Sequence, residues 1–396
     1  MKRFITIYLF ELKKIYGKKM VWTAAAVLLA LQLAGNVVGL FMKNAFIDAD
    51  GNITYQTGYE EDMGVREAAQ AISGRKIDES LLSEMRKAYE EDGPSVEEMT
   101  KERQTYRDVY YYVINYTDYE TNIDINEEEL YQIRRDALDE ENQFWGLNEE
   151  EIRYWEKQED KIEKPFVYEY YGGACRFFAY INFLSLLWLS IIGIGLANFF
   201  GEEHVRRTDQ LILCSKNGKK PLYLAKMAAG ITFGIGGTVL FYLVQFLTVL
   251  AIYGMSGFDL PLQLYLWMCS FPISLGGAIL ISFFLSLAAA ILSSVFIMLL
   301  SELFRNGVAA LSVMLGATLF TMFVSLPVRY GLISQLYNFM PMQFFNDTAF
   351  MDKRLFCIFG KYLTGLQAAP VFYLVSAIIL AGIGYKVYKE YQISGR

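Results

Sequence analysis

FFAYINFLSLLWLSIIGIGLANFF, residues 177–200, carries no charge from end to end and is bracketed by Arg176 before it and by Glu202 and Glu203 after it. A hydrocarbon core about 30 Å thick takes roughly 20 apolar residues of helix to cross, so this stretch reads as a membrane span. The chain around it agrees. Of its 396 residues, 54% are apolar and 16% aromatic, the composition of an integral membrane protein with a soluble part attached.

Five further segments meet the same test: Val21–Met42, a stretch within Met227–Gly257, the later part of the uncharged run Leu260–Ser301, Gly307–Leu326 before Pro327, and about Gln367–Tyr385. Pro272 divides the fourth run. Proline lacks the N–H and clashes with the preceding turn, so it marks a broken start to one span rather than two crossings. The expected fold is an all-α polytopic membrane protein of six transmembrane helices with a mainly helical extracytoplasmic domain.

Six crossings put both termini on one side, and basic residues choose it. Lys2, Arg3, Lys13, Lys14, Lys18 and Lys19 precede the first span. Arg206, Arg207, Lys216, Lys219, Lys220 and Lys226 fill the second connection, and Lys386, Lys389 and Arg396 follow the last span. Short loops rich in Lys and Arg stay in the cytoplasm. The expected map is therefore a cytoplasmic interfacial helix at 1–19, a first span at 20–42, an extracytoplasmic acidic helical domain at 43–175 and a second span at 176–200. A cytoplasmic connector at 201–222 leads to spans three to six within 223–390, with external segments 259–272 and 327–366, and a cytoplasmic tail at 391–396 ends the chain. The segment FITIYLFELKK mixes aromatic, aliphatic and basic residues as interfacial helices do. The first apolar run is full length with no small-residue cleavage site after it, so it reads as a retained anchor in the cell membrane.

Residues 43–175 hold 34 acidic against 15 basic residues, a net of −19, whereas the whole chain is −7, leaving +12 elsewhere. Such segregation argues against a nucleic-acid partner for this region. Three capping boxes, Ser95–Glu98, Asn126–Glu129 and Asn148–Glu151, start helices. Leu81, Leu82, Met85, Ala88 and Tyr89 share one helical face. The aromatic series from Tyr106 to Tyr116 and from Trp145 to Tyr171 reads as core rather than as a ligand surface. Asp118 to Asn126 and Glu129 mimic calcium-loop spacing, but Ile123 occupies the position that the sharp turn reserves for Gly.

Several chemistries lack their residues. The one histidine, His204, sits among charges, no His-Glu-x-x-His, Cys-x-x-Cys or phosphate-cradling Gly-x-x-x-x-Gly-Lys-Ser/Thr pattern occurs, and the four cysteines are dispersed. A disulfide among Cys175, Cys269 and Cys357 is left open. No carboxylate falls in mid-span, where ion-coupled carriers usually keep one. Glu302 and Lys226 read as ordinary snorkelling groups at span ends. Gln32, Asn36, Gln245, Ser282, Ser286 and the pair Gly230 and Gly234 read as helix-packing sites.

The connector carries the most specific pattern. From Glu202 and Glu203 it runs through Thr208, the apolar stretch Leu211, Ile212, Leu213 and Cys214, a turn at Ser215–Gly218, Lys219, Lys220 and Pro221, to Lys226. This order resembles the permease subunits of ABC-2 type ATP-binding-cassette exporters, with Arg207, Ser215 and Lys219 or Lys220 standing where those proteins usually have a small residue, a proline and an arginine. The resemblance covers the membrane portion and says little of the acidic insert. It implies a short coupling helix docked in a groove of a separate ATPase, with Leu211, Ile212 and Leu213 as the knob and Glu203, Thr208, Lys219 and Lys220 around it. It further implies a second permease chain, identical or different, and two ATPase subunits that hold the ATP and Mg, no cofactor residing on this chain. The expected task is export of an amphiphile, whether peptide, lipid or drug-like. Two other readings stay open: a secondary carrier, disfavoured by the missing mid-span acids, and a membrane receptor or scaffold, favoured by the size of the insert.

Overall fold

The structure, a computed structural model, describes residues 2–47, 53–90, 101–116, 123–205, 220–345 and 347–390. Helix α1 (Lys2–Tyr16) precedes α2 (Lys19–Phe41). A hairpin, β1 (Lys43–Ile47) with β2 (Ile53–Thr57), opens the insert, which continues with α3 (Gly58–Ala69), α4 (Glu79–Glu90), α5 (Lys101–Tyr116), α6 (Glu127–Phe144) and α7 (Glu149–Glu159). Next come α8 (Gly172–Leu196), the short α9 (Gly201–Val205), α10 (Lys220–Tyr253), α11 (Leu275–Phe304) and α12 (Gly307–Phe323). Two short helices, α13 (Leu332–Tyr337) and α14 (Pro341–Phe344), and a second hairpin, β3 (Leu355–Ile358) with β4 (Lys361–Thr364), lead into α15 (Gly365–Glu390).

Five helical stretches are long and apolar enough to cross a membrane: α2, the run Phe183–Glu203, α10, α11 and α15. The expected fifth span, α12, has 17 residues, about 26 Å at 1.5 Å per residue and so shorter than the core it would cross. Its limits are chemical. Asn306 caps its start, accepting from the N–H of Val308 and Ala309. Pro327 holds the residue before it out of the α region, and the helix stops at Phe323. Conversely α10 begins at Lys220, earlier than its apolar run, with Pro221 in the first turn where no N–H is needed. The run Leu260–Ser274 forms no span; it folds as a buried loop whose Pro261 and Ser274 bridge antiparallel, and Ser274 caps α11.

α11 is the central helix, packed on α8, α10, α12 and α15, while α2 sits outermost against α8 and α10. Mid-span amides fasten it there. Asn36 Nδ2 donates to Gln245 Oε1 at 2.8 Å, Gln245 Nε2 returns to Asn36 Oδ1 at 3.0 Å, and Gln32 Nε2 reaches the carbonyl of Phe241 at 3.0 Å. Where lipid offers no hydrogen bonds, such pairs hold helices together. Gly230 and Gly234 let α10 approach α11: a Cβ on Gly230 would lie 2.4 Å from Met298 Sδ, and one on Gly234 2.2 Å from Ser294 Oγ.

The insert packs through aromatic and aliphatic side chains. Leu81, Leu82 and Met85 are buried against Val109, Tyr112 and Val113 of α5, and Tyr89 stacks on Tyr110 with centroids 4.0 Å apart. The capping boxes at Asn126 and Asn148 are both formed, and Thr57 with Glu60 makes another that sequence reading missed; the box at 95–98 and residues 118–122 of the calcium-like stretch lie outside the described residues. The two hairpins were not expected either.

The connections fall into two groups. The insert, the loop 254–274 and the segment 327–364 meet at one end of the bundle, clamped by α6 and α7. Arg134 is fully buried. It pairs with both oxygens of Glu159 at 2.9 Å, donates to the carbonyl of Cys269 at 2.9 Å and also bonds the carbonyl of Trp267. Trp155 Nε1 donates to the Lys353 carbonyl at 2.6 Å. At the opposite end α1, α9, the turn at Arg305 and the end of α15 converge.

Candidate functional site

At that opposite end, α8 and α9 turn toward the connector through a buried charged socket. Glu203 accepts from Lys226 Nζ at 2.8 Å and from Lys14 Nζ at 3.3 Å, and Lys14 also pairs with Glu11 at 2.8 Å. Lys18 reaches Glu202 at 3.5 Å. Lys226 is fully buried, donates to the carbonyl of Phe199 at 3.1 Å and lies over the rings of Phe199 and Phe200. Ser301 Oγ, near the end of α11, accepts from the N–H of Phe200 and Gly201. Glu302 beside it is buried as well.

The socket corrects one expectation. Lys226 does not snorkel, because α10 starts early enough to carry it nearly two turns inside, against the α8–α9 turn. Glu203, expected at the ATPase contact, has its carboxylate bound in the socket. Lys220 is exposed at the start of α10. Thr208, Leu211, Ile212, Leu213 and Lys219 lie outside the described residues. Burial works against the charge of Lys14, yet Glu11 and Glu203 leave its pKa raised; on Lys18 burial prevails over Glu202 and the pKa is lowered.

Buried ion pairs of this kind add little net stability, but breaking one strands a charge and costs about 3–5 kcal/mol. Their effect is to tie α1, α9 and α10 into one body at the root of the connector, with α11 joined to it through Ser301. Among the described residues no cluster of His, Cys, Asp and Glu could hold a metal, and Cys175, Cys269 and Cys357 are free thiols.

Among the described residues, an open hollow of about 480 Å³ lies beside the turn at Arg305, and two further cavities lie away from the socket. A groove of about 470 Å³ runs between α8, α11, α12 and α15. A smaller chamber of about 190 Å³ lies beyond the end of α12, under Trp145 of the insert. Sequence reading missed both, since each is lined from segments far apart in the chain.

Apolar helices long enough to span, held by buried amides and close glycine contacts, define a polytopic helical membrane protein. Residues 41–352 match the family model described as "ABC-2 family transporter protein". That is more than half of the chain, which therefore belongs to this family as a membrane transport component, an ABC-2 type permease. No curated protein and no solved structure matches it.

Proposed function

We propose that the chain is the membrane-spanning subunit of an ATP-driven exporter and couples ATP hydrolysis on a separate ATPase to movement of an amphiphile. The observation that carries this is the socket: on either side of the connector, Glu203, Lys226, Lys14 and Glu11 bind α1, α9 and α10 into one body, and Ser301 of α11 holds the N–H groups of Phe200 and Gly201 beside them. A push on the connector is then delivered to α1, α10 and α11 together instead of being absorbed by a loose loop. Family membership supports an ABC ATPase as the source of the push. Leu211, Ile212 and Leu213 supply the apolar anchors for its groove, with Thr208, Lys219 and Lys220 at the rim. Two ATPase copies and a second permease chain complete the assembly, the connector faces the cytoplasm and the insert faces out.

Interfaces depend on a few buried apolar anchors, so Leu211→Asp or Leu213→Asp should cost about 2 kcal/mol or more of ATPase affinity, and Lys219→Ala less. Copurification of the ATPase and substrate-stimulated ATP hydrolysis in membranes measure this. Unchanged association and stimulation in both aspartate variants would reduce the connector to an ordinary basic loop.

A further inference from the structure

We propose that the groove and the chamber form one bipartite binding site for a single-chain amphiphile whose head is uncharged and carries hydrogen-bond donors. The inference rests on the transport reading above and specifies its substrate class.

The groove supplies the tail site. Leu189, Phe296, Met314 and Ile379 line it with no charged residue. Of the four hydroxyls along it, at Ser293, Thr318, Thr321 and Ser376, those of the two threonines are spent on their own helix, donating to the carbonyls of Met314 at 2.8 Å and Ala317 at 3.0 Å. A wall of that kind selects an apolar occupant.

Polarity changes where α12 ends. Gln343 Nε2 donates to the carbonyls of Thr321 and Val324, satisfying the end of that helix. Beyond it the chamber is lined by Ser334, Asn338, Gln343, Asp352, Arg354 and Trp145. Arg354 is not available to an anion. It is held by both oxygens of Asp352, at 2.9 and 2.5 Å, and donates to Ser334 Oγ at 3.0 Å, with Trp145 stacked 5.0 Å from the guanidinium. Asn338 Nδ2 donates to Asp352 Oδ2 at 3.2 Å. The amide oxygens of Asn338 and Gln343 remain unclaimed acceptors among the described residues. A neutral pair beside free acceptors suits hydroxyl or amide N–H donors and disfavours phosphate or carboxylate, which would face Asp352.

Phe339 is the wall common to both cavities. Its ring packs against Phe372 of the groove at 5.2 Å and against Phe356 and Phe344 of the chamber at 5.0 and 5.8 Å. The order of the compartments matches the membrane, with the tail site among the spans and the head site at their ends beneath the insert. A bulk two-chain phospholipid meets neither the size nor the neutrality of the chamber.

The test uses the full chain in lipid nanodiscs without ATPase and three photoreactive probes sharing one diazirine-bearing acyl chain: a monoacylglycerol, a free fatty acid and a diacyl phosphatidylcholine. The monoacylglycerol should label peptides spanning 314–321 and 372–380 in preference to the other two, and unlabelled monoacylglycerol should compete. Ser376→Trp, which fills the groove, should lower this labelling about tenfold. Asn338→Leu, which removes a head acceptor, should bring it down to the phosphatidylcholine level. Equal labelling by all three probes without competition overturns the proposal, leaving a groove filled by bulk lipid. Loss of labelling only when two copies associate overturns it in favour of a permease–permease interface. Should Ser376→Trp fail to fold, competition on the unmodified chain decides. Because no ATPase is present, specific labelling together with failed ATPase copurification would sink the transport reading alone.

Discussion

Lys353 shows how burial decides the behaviour of one charge. Placed before β3, it is 3% exposed, and burial lowers its pKa to about 8, with Glu141 pulling partly the other way. Among the described residues its ammonium has only the carbonyl of Leu138 and the amide oxygen of Asn142, each at 3.4 Å, to replace water. An unfolded lysine keeps its proton to about 10.4. Between about pH 8 and 10.4 the unfolded chain thus binds more protons, and stability rises with pH across that window. The thermal transition of the insert, followed through Trp155, should rise from pH 7.5 to 9.5 relative to Lys353→Met at the same pH, a comparison that cancels other titrations. Parallel profiles for the two proteins would show that Lys353 is not held charged at a cost. Lys226 is the contrasting case: equally buried, it has Glu203 at 2.8 Å. A lysine at a span end was visible in the sequence. Which lysine snorkels and which is enclosed was not, because that depends on the helix that packs over it.

At the scale of elements, the clamp of α6 and α7 on the loop 254–274 turns on Arg134. Removing it leaves Glu159 with Lys164 at 2.6 Å as its remaining cation, takes the Arg134 donor from the Trp267 carbonyl, and leaves the Cys269 carbonyl with Gln263 Nε2 at 3.1 Å. Arg134→Met should therefore weaken this docking by about 1–3 kcal/mol, the cost of buried polar groups that lose a hydrogen-bond partner. Hydrogen exchange should speed up in 254–274 and in α7 while the bundle helices stay protected; unchanged exchange in the loop would mean that aromatic packing, such as Trp155 on Phe271 at 4.9 Å, carries the docking alone. Glu159 has its pKa lowered, Arg134 and Lys164 outweighing burial, so this contribution is present above the ordinary carboxylate range and is lost as pH falls through the lowered value. The helices at this end were legible as capping boxes and periodic apolar faces. The two hairpins were not: the hairpin around Phe359 and Gly360 turns on left-handed φ values of 52° and 75°, and Phe gives no sign of a conformation that normally selects Gly or Asn.

Across the whole molecule, the connections sort into two ends: the insert with 254–274 and 327–364, and the socket with the turn at Arg305 and the end of α15. In the topology proposed here from charge segregation, the first end faces outside. A cysteine placed at Ser95 should accept a membrane-impermeant thiol reagent in intact cells, and one at Ser215 only after permeabilisation; the reverse pattern would invert the topology. Five long apolar helices and the helical character of the acidic insert were legible in the sequence, because hydropathy and periodicity act on each segment by itself, lipid requiring about 20 apolar residues wherever they occur; that α12 stops short of such a length was not. The socket of Glu203 with Lys226, the clasp of Asn36 with Gln245, the clamp of Arg134 and the two cavities joined at Phe339 were decided only by the tertiary structure. Each is a relation between residues far apart in the chain, and whether two side chains meet is set by how whole helices pack, which no local pattern records.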